Sequence, residues 1–325
     1  MAARVALSGH LWTVAPAIVT FVRRPAVPPA RPFRLAFTDP VAGALALTGF
    51  LHEPPGARQL LVVLHGLGGS CESSYARRFA SAAYAAGIAC LRLNLRGADL
   101  ESADFYHAGL TADLDTVLGS ETVASFERVA LVGFSLGGHT LLRYLGERAG
   151  EDRPLARGVT AAVAVCAPLD LELGATALDG PGNALYRRYL LGGLRAVADA
   201  VELRRPGAIA APRAVRGRVR GIREWDGLVV APRWGFASAE DYYARASAGP
   251  LLGRVATPSW IVLSENDPMV PAGTVRDALR GVSAATEVTW TKRGGHVGFP
   301  PGLDLGRRGP RGLESQLLAW LGERL

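Results

Sequence analysis

Val129-Ala130-Leu131-Val132-Gly133-Phe134-Ser135-Leu136-Gly137-Gly138 is the stretch on which the reading of this chain turns. An unbroken apolar run, Val129 to Phe134, ends in Gly-x-Ser-x-Gly and passes directly into a helix-compatible segment, Gly138 to Arg148. Apolar runs without alternation suit parallel strands that are covered on both faces. A serine on the tight bend between such a strand and a helix needs small residues on either side so that backbones can approach, and its hydroxyl then stands above the sheet. In a chain with 39 glycines the pattern alone is weak, and its position between strand and helix is what gives it force.

Outward from this bend the same rhythm repeats. Alternating residues at Phe33 to Phe37 and Ala44 to Phe50, separated by Thr38-Asp39-Pro40, predict an opening hairpin. Short apolar runs follow at Leu60 to Leu64, Ala89 to Leu95, Val159 to Cys166 and Trp260 to Leu263, with a further strand expected at Thr286 to Thr291. Helix-compatible stretches lie between them at Ser74 to Ala86 and Leu110 to Leu118, and an amphipathic helix closes the chain at Leu313 to Leu325. Strands alternating with helices imply a mostly parallel, doubly wound α/β sheet. The rhythm breaks after Pro168: residues 169–250 hold no convincing buried strand, only helical pieces near Leu185 to Leu203 and Ala239 to Ala246. The expected organisation is therefore a core of residues 1–168 and 251–325, with an N-terminal arm over 1–32, and a mainly helical cap inserted at 169–250.

The chemistry-bearing residues gather around the strand ends. His65-Gly66-Leu67-Gly68-Gly69 follows the strand Leu60 to Leu64, and its glycines allow the loop to turn a backbone N–H toward Ser135. The amides of Leu67 and Leu136 are thus the expected oxyanion hole. A base that takes a serine proton near neutrality is best supplied by histidine. His296, in the loop Gly294-Gly295-His296-Val297-Gly298-Phe299 before the closing helix, has the most suitable surroundings; His65 and His139 adjoin the same region as loop-orienting residues. The acid that orients the imidazole should follow a late strand, which favours Asp267, with Asp170 as its rival. The order serine, acid, histidine is that of the α/β-hydrolase fold. His65, Tyr186, Leu190, Trp225, Trp234 and Tyr242 are candidates for lining a substrate pocket.

Bulk properties narrow the remaining possibilities. The formal net charge is +7, and between Arg204 and Arg223 there are seven arginines and no acid. Such a stretch reads as a solvated loop or as a contact with an anionic membrane surface. Cys71, Cys90 and Cys166 are too few and too scattered for a disulfide framework or a zinc site, which points to a reducing, cytoplasmic setting. No metal-ligand spacing, Walker lysine or dinucleotide fingerprint occurs, so neither a metal, nor a cofactor, nor a nucleic acid partner is expected. The apolar run Leu11 to Val22 contains Pro16 and is too short to cross a bilayer; it is read as an arm packed on the domain. Nothing in the sequence specifies an oligomeric state.

Taken together, Gly9-His10-Leu11, His65-Gly66-Leu67 with Ser70 and Tyr75, Asn94-Leu95-Arg96-Gly97, Tyr106-His107-Ala108-Gly109, Gly133 to Gly138, Cys166-Ala167-Pro168, Asp241-Tyr242-Tyr243, Asn266-Asp267-Pro268 and Gly294 to Phe299 resemble the YheT-like branch of the α/β-hydrolases. The group includes plant embryogenesis-associated proteins and yeast medium-chain ester synthases. The resemblance implies a triad of Ser135, Asp267 and His296 acting on small-molecule carboxylic esters, with short- to medium-chain or lipid-like acyl groups, through an acyl-enzyme. An acyltransferase using the same triad and a non-catalytic binding protein on the same fold are the alternatives. The arginine stretch has no counterpart in that resemblance.

Overall fold

The computed structural model describes residues 8–14, 26–150 and 158–325. The part of the Leu11 to Val22 run from residue 15 onward lies outside them. Eight strands form one sheet in the order β1-β2-β4-β3-β5-β6-β7-β8. They are β1 (Arg31–Asp39), β2 (Gly43–His52), β3 (Gln59–Leu64), β4 (Ala89–Leu93), β5 (Arg128–Phe134), β6 (Val159–Val165), β7 (Ser259–Ser264) and β8 (Thr286–Thr291). The hairpin β1–β2 joins β4 antiparallel, and every pairing from β4 through β3 to β8 is parallel. The hairpin bends at Asp39, whose Oδ1 accepts from the amides of Val41 and Ala42, each at 2.8 Å. That local carboxylate turn is what the Thr-Asp-Pro sequence encodes.

The strands β3, β5 and β6 in the middle of the sheet are buried on both faces, as their unbroken apolar runs require. Helices on the two sides divide the interior into two apolar clusters. On one side Phe79, Ala80 and Ala83 of helix Ser74–Ala85 and Leu317, Trp320 and Leu321 of helix Leu313–Gly322 pack on Leu61, Val63, Val132 and Val163. On the other side Leu141, Leu142 and Leu145 of helix Leu136–Gly150 join the residues of the insertion.

Between β6 and β7 the described chain forms helices joined by turns and no strand, from Leu171–Asp179 and Ala184–Arg204 to Ala239–Ala246 and the 3₁₀ turn Gly249–Arg254. Two parts of it differ from the sequence reading. Leu171–Asp179 is a helix that periodicity did not suggest, N-capped by Asp170, and the arginine stretch contains the short helix Arg213–Arg216. Among the described residues no helix is long and apolar enough to cross a membrane. All three cysteines are free and buried.

Candidate active site

Ser135 sits at the end of β5 with φ +53°, left-handed backbone that costs a non-glycine residue free energy and persists only where the surroundings enforce it. They do so here through hydrogen bonds on both sides: the Ser135 amide donates to Val165 O at 2.8 Å, and Ser135 O accepts from the His139 amide at 3.0 Å. The flanking glycines have a steric reason. A Cβ on Gly133 would lie 2.4 Å from the carbonyl carbon of Gly137, and one on Gly137 would lie 2.4 Å from Leu64 O. The bend can close only with hydrogen at both positions.

The loop after β3 is folded toward this bend by two tyrosines from elsewhere. Tyr75 Oη accepts from the Gly66 amide and Tyr106 Oη from the Gly68 amide, both at 2.9 Å. Between the two anchored amides lies Leu67, and no described residue accepts a hydrogen bond from the Leu67 or the Leu136 amide. Leu136 opens its helix, where an orphan amide is the rule.

His296 and Asp267 are brought together from loops after β8 and β7. His296 Nδ1 lies 2.9 Å from Asp267 Oδ2, and Asp267 Oδ1 accepts from the amides of Met269 at 2.8 Å and Val270 at 2.9 Å. Both side chains are buried. A carboxylate at Nδ1 fixes the proton on that nitrogen and leaves the Nε2 lone pair available. The His296 amide donates to Thr13 Oγ1 at 2.8 Å, so the helical turn 8–14 buttresses the loop. Sequence reasoning gave Thr13 no role, and a contact spanning 283 residues leaves no local signal.

The other carboxylate weighed for this position is engaged differently: Asp170 Oδ1 accepts from the Leu173 amide at 2.9 Å as a helix cap. Of three further histidines near this region, His65 and His139 are buried, and the half-buried His107 lines the cavity described below. Burial pushes the pKa of His65 and of His139 down to about 4 and that of His107 to about 3. His65 lies beneath the loop, its Nε2 accepting from the Leu95 amide at 3.1 Å, and His139 bridges Pro168 O and Ala246 O.

A cavity of about 840 Å³ opens over these groups and is lined by Leu67, Ser135, Leu136 and His296. The insertion contributes much of the remaining lining, including Leu190, Trp225, Val229 and Tyr242, and the core adds Tyr75, Phe105, Tyr106 and Met269. Of the six residues expected to line a pocket, Tyr186, Leu190, Trp225 and Tyr242 do so, while His65 and Trp234 do not. His65 is turned under its loop, and Trp234 has the guanidinium groups of Arg96 and Arg233 over its ring, Phe105 edge-on and His107 tilted against it. The arginine stretch is partly neutralised: Arg213 and Arg216 pair with Asp199, and Arg223 with Glu172 and Glu240.

Donor atoms of Cys166, Asp267 and His296 lie within 4.8 Å of one another. The set is poorly suited to a cation, because Asp267 and His296 already satisfy each other and burial holds the Cys166 thiol pKa well above its usual value.

The family model for the alpha/beta hydrolase family matches residues 61–302. The chain belongs to this family. Within it, this hydrolase is 36% identical over 265 residues to the Escherichia coli protein named "Putative esterase YheT", covering 80% of the chain and 76% of that protein. It is 30% identical over 267 residues to the embryogenesis-associated protein EMB8 of Picea glauca, covering 78% of the chain and 56% of the spruce protein. A yeast monoacylglycerol lipase is 27% identical over 254 residues, with 75% of the chain and 55% of that protein covered. The hydrolase thus falls in the YheT-like branch and spans little more than half of the spruce and yeast relatives. Among solved structures, 2,6-dihydroxy-pseudo-oxynicotine hydrolase superimposes with a TM-score of 0.52 at 17% identity, over 89% of this chain and 66% of that one. The Pyrococcus furiosus esterase Pf2001 gives 0.51 at 15% identity, over 84% and 89%. These likenesses establish the fold.

Proposed function

We propose that this chain is a carboxylic ester hydrolase in which Ser135 is the nucleophile, His296 the general base and Asp267 the orienting acid. The observation that carries the reading is the presence, in the lining of one cavity, of a serine in left-handed backbone and a histidine whose Nδ1 is held by a buried carboxylate. In this reading Ser135 Oγ attacks the ester carbonyl while His296 Nε2 takes its proton. Asp267 stabilises the imidazolium, and the unpartnered amides of Leu67 and Leu136 receive the oxyanion. The imidazolium then protonates the departing alkoxide. Water, deprotonated by the same imidazole, releases the acid and restores the serine.

The relatives named as esterase and lipases support an ester as substrate, and the apolar walls supplied by the insertion favour an aliphatic acyl group. A fluorophosphonate probe tests the nucleophile. Wild-type protein should be labelled and should hydrolyse p-nitrophenyl esters somewhere between acetate and palmitate, whereas Ser135→Ala should lose labelling and about 10⁶-fold of turnover while melting at a similar temperature. Labelling that persists in Ser135→Ala would remove the serine from the mechanism. New ester formed in preference to free acid when an alcohol is added would replace hydrolysis by acyl transfer.

A further inference from the structure

Among the polar groups of the cavity that the mechanism leaves unused, one is a buried carboxyl. Asp226 lines the same cavity as Ser135 and His296, yet it belongs to the insertion and is nine-tenths buried among Trp225, Val229, Val230 and Tyr242. It sits where the helix Ile222–Trp225 gives way to a π-helical turn, Asp226–Val230, before Ala231–Trp234 resumes. Such single-turn insertions recur at functional sites because they push one side chain out of the regular helical register.

The hydrogen bonding of Asp226 is incomplete. Its Oδ2 accepts from Tyr243 Oη at 2.8 Å, and among the described residues no donor reaches Oδ1. Among the described residues no cation pairs with it: the nearby Arg223 guanidinium is committed to Glu172 and Glu240, and the Asp179 carboxylate nearby is taken up by the amides of Ile222 and Arg223. Fastening the helix Ala239–Ala246 to the π turn needs only the oxygen that meets Tyr243. The second oxygen is not sealed from the cavity and so is open to a donor there, whereas a purely aliphatic cavity would be better served by leucine.

We propose that Asp226 is a specificity-determining residue that accepts a hydrogen bond from a hydroxyl group of the substrate remote from the ester carbonyl. An ester made wholly of hydrocarbon would leave that oxygen unsatisfied, whereas one carrying a hydroxyl at matching reach would complete it. A hydroxyl suits the site because it can bond to the carboxyl group in either protonation state; burial raises the Asp226 pKa to about 7, so both states are available near neutrality. The hydroxyl can reside on the acyl chain or on the alcohol portion of the ester. This inference rests on the esterase reading for its substrate class, but hydroxyl recognition by the cavity can be tested without turnover.

The binding experiment compares 1-octanol with 1,8-octanediol on wild-type protein and on Asp226→Leu, read by the fluorescence of the buried cavity residue Trp225 and by calorimetry. The ratio of the two affinities should shift toward the monoalcohol by about tenfold in Asp226→Leu, the size of one hydrogen bond. An unchanged ratio overturns the proposal. The kinetic experiment compares kcat/KM for p-nitrophenyl octanoate with its hydroxylated analogues, and for ethyl octanoate with 2-hydroxyethyl octanoate. A preference for the hydroxylated member in one arm, lost in Asp226→Leu and kept in part by Asp226→Asn, assigns the hydroxyl to that side of the ester. Identical preferences in all three proteins count against the assignment. Absence of fluorophosphonate labelling in wild type would defeat the esterase reading, while the octanediol ratio still decides the role of Asp226.

Discussion

The loops that hold Ser135 and His296 and the helical insertion that covers them are fastened by different kinds of contact. Around Ser135 and His296 the fastening is backbone against backbone or hydroxyl against amide: Gly133 on Gly137, Gly137 on Leu64, Tyr75 and Tyr106 on the loop after β3, Thr13 on His296. In the insertion charged side chains do much of this work. Arg233 makes a two-pronged contact with Asp104, which also receives Arg96, and this buried cluster joins the insertion to the loop after β4. Backbone contacts hold atoms to tenths of an ångström and tolerate almost no substitution. Ion pairs between long side chains hold whole helices in place while letting their surfaces vary. The arrangement suits a fixed reaction centre beneath a cover whose lining sets selectivity.

After the loss of Ser135 itself, the largest effect should come from the carboxylate beside His296. Asp267→Asn preserves shape but presents an amide to Nδ1, and it should lower kcat about 10⁴-fold with little change in melting temperature. Asp170→Asn should do almost nothing, since asparagine caps a helix as well as aspartate does. Equal losses in the two variants would break the claim that Asp267 alone orients the imidazole. Next in size is the cluster beneath the insertion. Asp104→Ala leaves Arg233 buried with no acid among the described residues, and urea unfolding should show about 3–5 kcal/mol of lost stability. A loss under about 1 kcal/mol would mean that apolar packing, not charge, carries the junction.

A third test concerns Asp226. Burial raises its pKa from 3.8 to about 7, so between those values the folded protein keeps a proton that the unfolded chain releases. Stability should therefore fall as pH rises through that window, with a slope of up to about 1.4 kcal/mol per pH unit from this group. Unfolding free energies of wild type and Asp226→Asn, measured at pH 5 and pH 8, isolate the contribution. The wild type should lose stability relative to the variant on going to pH 8, and a difference independent of pH would show that the carboxyl is ionised throughout.

The same division of contacts explains what could be read from the amino-acid order. The bend at Ser135 was legible because its constraint is local: strand, glycine, serine, glycine and helix occupy consecutive positions. β8 was expected at Thr286 to Thr291 and is found there. The pairing of His296 with Asp267 was accessible through chain order and loop position. In the insertion the determinants are pieces too short to carry a period, such as Arg213–Arg216 and Ile222–Trp225, and a π turn that shifts the helical register just where Asp226 emerges. The helix Leu171–Asp179 did have a start signal in Asp170, but Gly174 and the alanines around it weakened its apolar pattern. His65 was placed at the cavity by its position in the loop motif and Trp234 as a large apolar residue of the cap, whereas ring orientation depends on partners such as Leu95, Arg96 and Arg233 that no spacing reveals.

The smallest effect is expected within the arginine stretch, where two arginines share one acid. Arg213 Nε and Arg216 Nη2 contact opposite oxygens of Asp199 at 3.0 and 2.9 Å, but Arg213 is 82% exposed whereas Arg216 is 2% exposed. Removing Arg213 leaves Asp199 paired and uncovers nothing, so Arg213→Ala should change stability by less than about 1 kcal/mol, and that difference should vanish in high salt. Arg216→Ala removes a buried guanidinium that also donates to Ala211 O at 2.7 Å, and its cost should exceed that of Arg213→Ala and resist salt. If the two variants melt alike, charge pairing in this stretch is a surface property throughout. The insertion would then owe its position to its apolar face and to the Asp104 cluster alone.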